Sequence, residues 1–112
     1  MVKQYIPQRG DLVFVNFNPQ TGREQAGKRP AVVISPILYN KKAGLAIMVP
    51  ITSRVKGFPF EVELPKKLKT KGVVLSDHVK NFDWQSRKVK FLEKLPAETL
   101  EEVVKKLNLL TN

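Results

Sequence analysis

Short apolar runs, broken about every 8–12 residues by glycine, proline and charged clusters, fill this chain up to Leu95. Asp11 to Phe17 ends in polar–apolar alternation, the period of a half-buried strand. Pro30 to Ser35 and Leu45 to Ile51 are continuous apolar runs of strand length, the pattern of buried strands. Phe60 to Leu64 alternates cleanly, and Gly72 to Ser76 and Val79 to Trp84 add two more short strands. Arg87 to Leu92, with basic and apolar residues in turn, forms a last one. Between them, Asn18 to Lys28 reads as a long mobile loop, Asn40 to Gly44 and Lys56 to Pro59 as turns, and Lys66 to Gly72 as a basic loop. Six or seven strands punctuated in this way predict a mainly β fold, a barrel or a sandwich.

The end of the chain follows a different period. Leu100, Val103, Val104, Leu107 and Leu110 fall on one stripe of an α-helix. Pro96 suits a first helical position, and Glu98, Glu101 and Glu102 precede Lys105 and Lys106, the order that complements the helix dipole. The whole chain, 1–112, is expected to form one domain. A domain of this size buries only roughly 60–70% of its unfolded surface, so it gains from a partner, and a dimer is expected.

The residues that are missing exclude several chemistries. There is no cysteine and only one histidine, His78, so disulfides, thiolate metal sites, a His-rich zinc site and a two-histidine ribonuclease centre cannot be built. No metal and no cofactor is expected. The first seven residues, Met1 to Pro7, lack the apolar stretch of a signal peptide, and no apolar run is long enough to span a bilayer. A cytoplasmic protein without a membrane partner is expected. Lys and Arg total 20 against 10 Asp and Glu, a net charge of +10. Three of the acids lie in the C-terminal helix, so the β portion carries the positive excess. Such an excess points to a polyanion: nucleic acid first, an acidic protein segment second, with solubility alone as the bland alternative.

RNA cleavage without a metal or paired histidines leaves Arg, Lys, Glu, Asp and hydroxyls as tools. Glu24-Gln25-Ala26-Gly27-Lys28-Arg29-Pro30 concentrates them where a loop becomes a buried strand. Arg29 would offer phosphate a planar fork from a firmly held strand end, and Gly27 would let a substrate backbone approach. A solvated charged loop explains the same residues. Thr52, Ser53 and Lys56 follow the next buried strand with hydroxyls and a cation, and here a plain polar loop is the alternative. Phe17, Phe58 and Trp84 are candidates for base stacking. Most phenylalanines here are expected in the core, with Phe17 and Trp84 left open because they sit near loop edges. The lysines of 66–71 suit either RNA backbone or solvent. Asp77 and His78, as neighbours on a strand, would point to opposite faces, which leaves Asp77 as a base-reading or loop-anchoring group and His78 as structural.

At these residues the chain closely resembles the MazF/PemK toxin family, over nearly its whole length. The resemblance runs through Tyr5-Ile6-Pro7, Gly10-Asp11-Leu12, Glu24 to Gly27, Arg29 to Val33, Ser35-Pro36, Tyr39-Asn40, Val49-Pro50 with Thr52, Lys56 to Val62, and Gly72-Val73 to Asp77. It implies an SH3-like β-barrel with a C-terminal helix, a homodimer, and a toxin of a type II toxin–antitoxin system. The activity implied is metal-independent, sequence-specific cleavage of single-stranded RNA (mRNA), which inhibits translation and leaves a 2′,3′-cyclic phosphate and a 5′-hydroxyl. An acidic MazE-like antitoxin is the implied partner. Arg29 and Thr52 match the family's catalytic pair, Glu24 an acidic loop residue important for activity, and Lys56 a basic residue at the site. Phe17, Gln25 and Asp77 match positions near the RNA groove. The sequence departs from relatives at Lys28, often His, at His78, usually Gln, and in its lysine-rich 66–71 loop.

Two other readings compete. A CcdB-like gyrase poison shares the fold but acts through C-terminal residues that include Trp, and here the chain reads Leu109-Leu110-Thr111-Asn112. A non-catalytic RNA-binding barrel would share the charge and differ only in leaving RNA intact.

Overall fold

A computed structural model describes residues 4–18 and 27–111. The apolar runs become strands β1 (Asp11–Asn16), β2 (Lys28–Val33), β3 (Leu45–Thr52), β4 (Glu61–Glu63), β5 (Val73–Leu75), β6 (Lys80–Asp83) and β7 (Lys90–Lys94). A short helix, α1 (Ile37–Ala43), joins β2 to β3, and α2 (Ala97–Thr111) ends the described chain. The pairings are antiparallel, in the order β4-β5-β3-β2-β1-β7, with β6 also on β3. This is the expected mainly β, barrel-like architecture with a C-terminal helix.

Strand β3 organises the sheet. On one edge it pairs with β2 from Met48 to Pro50. Its other edge is shared, β6 taking Leu45 to Met48 and β5 taking Ile51 and Thr52. The ends of the path, β4 and β7, do not pair with each other among the described residues. Side chains link them instead. Glu93 of β7 accepts hydrogen bonds from the amides of Lys69 (3.2 Å) and Thr70 (2.7 Å) and from the Thr70 hydroxyl (2.8 Å), both in the β4–β5 loop. Burial pushes the Glu93 carboxyl up, but these bonds outweigh it and hold the group below the usual carboxylate range.

Both faces of the central strands are buried, which is why β2 and β3 read as continuous apolar runs. One cluster contains Leu12, Val32, Val49, Ile51, Val62, Leu68 and Val74 and is covered by α2 through Val103, with Leu100 and Leu107 packed against it. The other contains Val13, Val15, Ala31, Val33, Met48, Phe82 and Trp84. The helical stripe is thus covered at 100, 103 and 107, while Leu110 stays exposed.

Three elements differ from the sequence reading. The segment expected to turn from Asn40 to Gly44 is the second half of α1, and only Gly44 turns, in the left-handed conformation (φ 71°) that ends helices. A helix of seven residues is too short to show a periodic stripe, and its one buried side chain is polar. That side chain, Asn40, donates to the Pro7 carbonyl (2.8 Å) and the Ser35 carbonyl (3.1 Å). The last strand begins at Lys90, not Arg87, because Arg87 and Lys88 close a turn onto the carbonyls of Asp83 and Gln85. Strand β2 begins at Lys28, ahead of its apolar run, because Lys28 and Arg29 pair with Asn16 and Val15.

Candidate active site

Arg29 is the second residue of β2 and Thr52 the last of β3. The antiparallel register sets Ala31 against Pro50. Continued two residues past this last paired position, the same register would put Arg29 across from Thr52. Side chains alternate along strands, so both residues share the face of Ala31 and Met48. Arg29 and Thr52 therefore lie toward the same end of neighbouring strands, where the buried runs give way to polar chain. Arg29 is half-buried and Thr52 is buried, which limits their freedom.

The rim is built tightly around Thr52. Its other neighbour is Val73 of β5. Just before Val73, Gly72 adopts φ +122°, and a Cβ placed on it would lie 2.3 Å from the Thr52 carbonyl oxygen. Only glycine allows this approach. The Arg54 amide donates to Thr52 Oγ1 (3.2 Å), so the hydroxyl's acceptor role is engaged and its own proton is free to point elsewhere. Beyond it, Ser53 and Lys56 are exposed. Their loop is braced by the Glu61 carboxylate, which accepts from the amides of Lys56 (3.1 Å) and Gly57 (3.0 Å). The Lys56 ammonium lies 5.9 Å from the centre of the Phe58 ring.

The base of the β1–β2 connection is equally well held. The Gly27 amide donates to Asn18 Oδ1 (2.9 Å), and the Phe17 amide donates to the Gly27 carbonyl (2.9 Å). Arg87 Nη1 donates to the carbonyls of Asn16 and Asn18, both at 2.6 Å, while its guanidinium lies 4.6 Å from the Phe82 ring centre. Lys28 pairs with Asn16 and is exposed. By alternation it sits on the face opposite Arg29, where it lines a cleft with Phe14, Asn16, Arg87, Lys88 and Lys90.

Other expected site residues are placed elsewhere. Phe17 is 2% exposed and packs edge-on against Phe82, with ring centres 4.9 Å apart. Trp84 is also buried, its indole N–H donating to the Asn40 carbonyl (2.9 Å). The two aromatics left open for stacking are therefore core, and Phe58, expected in the core, is 58% exposed beside Lys56. Asp77 lies two residues past β5, whereas Thr52 pairs with the first residue of that strand, so the length of β5 separates them. Asp77 and His78 lie in and beside a turn, not on a strand, and their side chains come within 3.9 Å. Glu24 and Gln25 fall outside the described residues. Sequence reasoning missed the parts played by Gly72, Arg87, Glu61 and Glu93. The contacts of Gly72, Arg87 and Glu93 span many positions, those of Glu61 only four or five, and only the positive-φ habit of glycine offered a hint.

The rim thus offers a forked cation, a hydroxyl and an ammonium, a set suited to binding and stabilising an anion. Among the described residues no group of three His, Cys, Asp or Glu could hold a metal ion, and no helix is long and apolar enough to cross a membrane.

Residues 8–111 match the family of the PemK-like, MazF-like toxins of type II toxin–antitoxin systems. The chain is 44% identical over 110 residues to the endoribonuclease toxin MazF of Escherichia coli K12, with 98% of each chain covered. Among solved structures, it resembles MazF from Deinococcus radiodurans with a TM-score of 0.94 and 51% identity, over 96% of this chain and 98% of that one. It also resembles a chain of a MazE–MazF structure from the same organism, with a TM-score of 0.87 and 50% identity over 96% and 97%.

Proposed function

The chain belongs to the PemK-like, MazF-like toxin family of type II toxin–antitoxin systems, and from that premise we propose that it is a sequence-specific endoribonuclease that cuts single-stranded RNA, mRNA included, without a metal. The observation that supports this reading is that Arg29, near the start of β2, and Thr52, at the end of β3, fall opposite each other when the Ala31–Pro50 register is continued to the strand ends.

Arg29 binds the scissile phosphate through two parallel N–H bonds and stabilises the charge that grows on its oxygens. Thr52 donates a hydrogen bond to a phosphate oxygen, a role consistent with the Arg54 amide occupying its acceptor side. The ribose 2′-OH loses its proton and its oxygen bonds to phosphorus. The bond from phosphorus to the 5′-oxygen breaks, and that oxygen takes up a proton. The products are a 2′,3′-cyclic phosphate and a 5′-hydroxyl. Arginine holds its proton far above neutral pH and is a poor base, so Glu24 is the proposed base. Lys56 and Ser53 line the strand's path beside Thr52. Gly27, Lys28, Gln25 and Asp77 complete the proposed RNA-contacting set, while Phe17, buried against Phe82, supports the loop base instead of touching RNA.

The protein works in the cytoplasm as a homodimer. An acidic MazE-like segment lies in its basic groove and blocks Arg29, so raised salt weakens that complex. The relative of known structure seen with MazE supports a partner of this type. The test is to incubate purified protein with a long RNA in EDTA and sequence the fragment ends. Discrete cuts at one short sequence are expected; a gel shift with intact RNA would overturn the enzymatic reading.

A further inference from the structure

The β4–β5 loop carries the lysine run that the catalytic rim does not use. It is an arch held at three points. Leu68 is buried in the core cluster under α2. Glu93 holds the amides of Lys69 and Thr70 and the Thr70 hydroxyl. Lys71 folds inward, its ammonium donating to the carbonyls of Lys66 (2.7 Å) and Leu68 (2.6 Å). These contacts leave Lys66, Lys67 and Lys69 exposed. The arch ends at Gly72, whose backbone is packed on Thr52 and Ser53. Three residues span at most about 11 Å, so Lys69 is within that distance of Gly72 along the chain, and the Lys71 bonds fold Lys66 back toward the same end.

We infer that Lys66, Lys67 and Lys69 form a second phosphate-binding strip, which holds single-stranded RNA flanking the scissile linkage. This inference rests on the endoribonuclease reading above. An RNA held at Thr52 and continuing over Gly72 meets this arch, and lysines on an already anchored backbone bind its phosphates without the cost of ordering the loop. A floppy lysine loop would lose that advantage. Lysine makes point-charge contacts without reading bases, so the strip adds affinity for long RNA and no sequence preference.

The test replaces all three residues together, Lys66→Gln, Lys67→Gln and Lys69→Gln, with Lys→Arg at the same positions as the charge-preserving control. On a long RNA the Gln variant should raise KM by roughly tenfold at low salt, with the loss falling on KM and not on kcat. The slope of log affinity against log salt should flatten by about 2, at roughly 0.7 per lost contact for a single strand. A minimal oligonucleotide bearing only the cut site should show little change, and the Arg variant should behave as the parent. An unchanged KM and salt slope on long RNA overturns the inference while leaving the nuclease reading intact. So does a variant that loses affinity only for a poly-glutamate peptide, which would make the strip a protein-binding surface. A parent that cuts no RNA at all removes both.

Discussion

The backbone of Gly72 lies so close to that of Thr52 that no side chain fits between them: a Cβ on Gly72 would fall within 2.3 Å of the Thr52 carbonyl oxygen and 2.9 Å of its carbon. Gly72→Ala must therefore shift the end of β3, and its φ of +122° adds strain. Strain of this sort costs about 1–3 kcal/mol. Cleavage should fall further than the stability loss accounts for, because the displaced residue carries the hydroxyl. Chemical denaturation and single-turnover cleavage on the same samples check this; full activity in a destabilised variant would show that the contact serves folding alone.

Arg29→Lys keeps the charge and loses the fork. Cleavage should drop by roughly 10²–10³, as when one preorganised donor is removed from a transition-state site, with only modest loss of RNA affinity. Thr52→Ser should retain much of the rate and Thr52→Val little of it. Rates from saturating enzyme, beside affinities from filter binding, separate the two effects.

Arg87 is predicted to position the loop that carries Glu24 without touching substrate. It grips the Asn16 and Asn18 carbonyls at the base of that loop. Arg87→Ala leaves both acceptors without this donor and should cost about 1–3 kcal/mol of stability, and it should also lower kcat. If the variant melts early but turns over normally at low temperature, the latch is purely structural.

Phe58→Ala and Phe17→Ala should separate an exposed ring from a buried one. Phe17→Ala opens a cavity beside Phe82 and should destabilise by about 3–5 kcal/mol. Phe58→Ala should leave the melting temperature nearly unchanged and weaken RNA binding by about 1–3 kcal/mol, the worth of one stacked base. Equal RNA affinity in parent and Phe58→Ala would remove stacking from this loop.

The Glu93 carboxyl titrates below its ordinary 4.5, so its bonds to Lys69 and Thr70 contribute stability that is present above that pH and is lost as pH falls through the lowered value. Glu93→Gln should melt below the parent at neutral pH, and the gap should close under acid conditions. Melting curves from pH 3 to 7 test the sign; a gap that widens in acid would refute it.

Most strands were legible from residue order, because alternation and apolar runs report burial along a single element. The stripe of α2 was readable for the same reason, and the excess of lysine and arginine pointed toward a polyanion without excluding simple solubility. The residue types at the rim were readable too: a forked cation and a hydroxyl, each beside a buried run. What only the tertiary structure decided was who meets whom. The β2–β3 register puts Arg29 and Thr52 on one face of the sheet, and a slip of one residue would send either side chain to the other face. The exchange of Phe58 for Phe17 and Trp84 at the surface, the short α1, the Arg87 latch and the Glu93 brace all depend on partners many positions away. Local periodicity records whether a residue is buried; it carries no record of which distant residue does the burying.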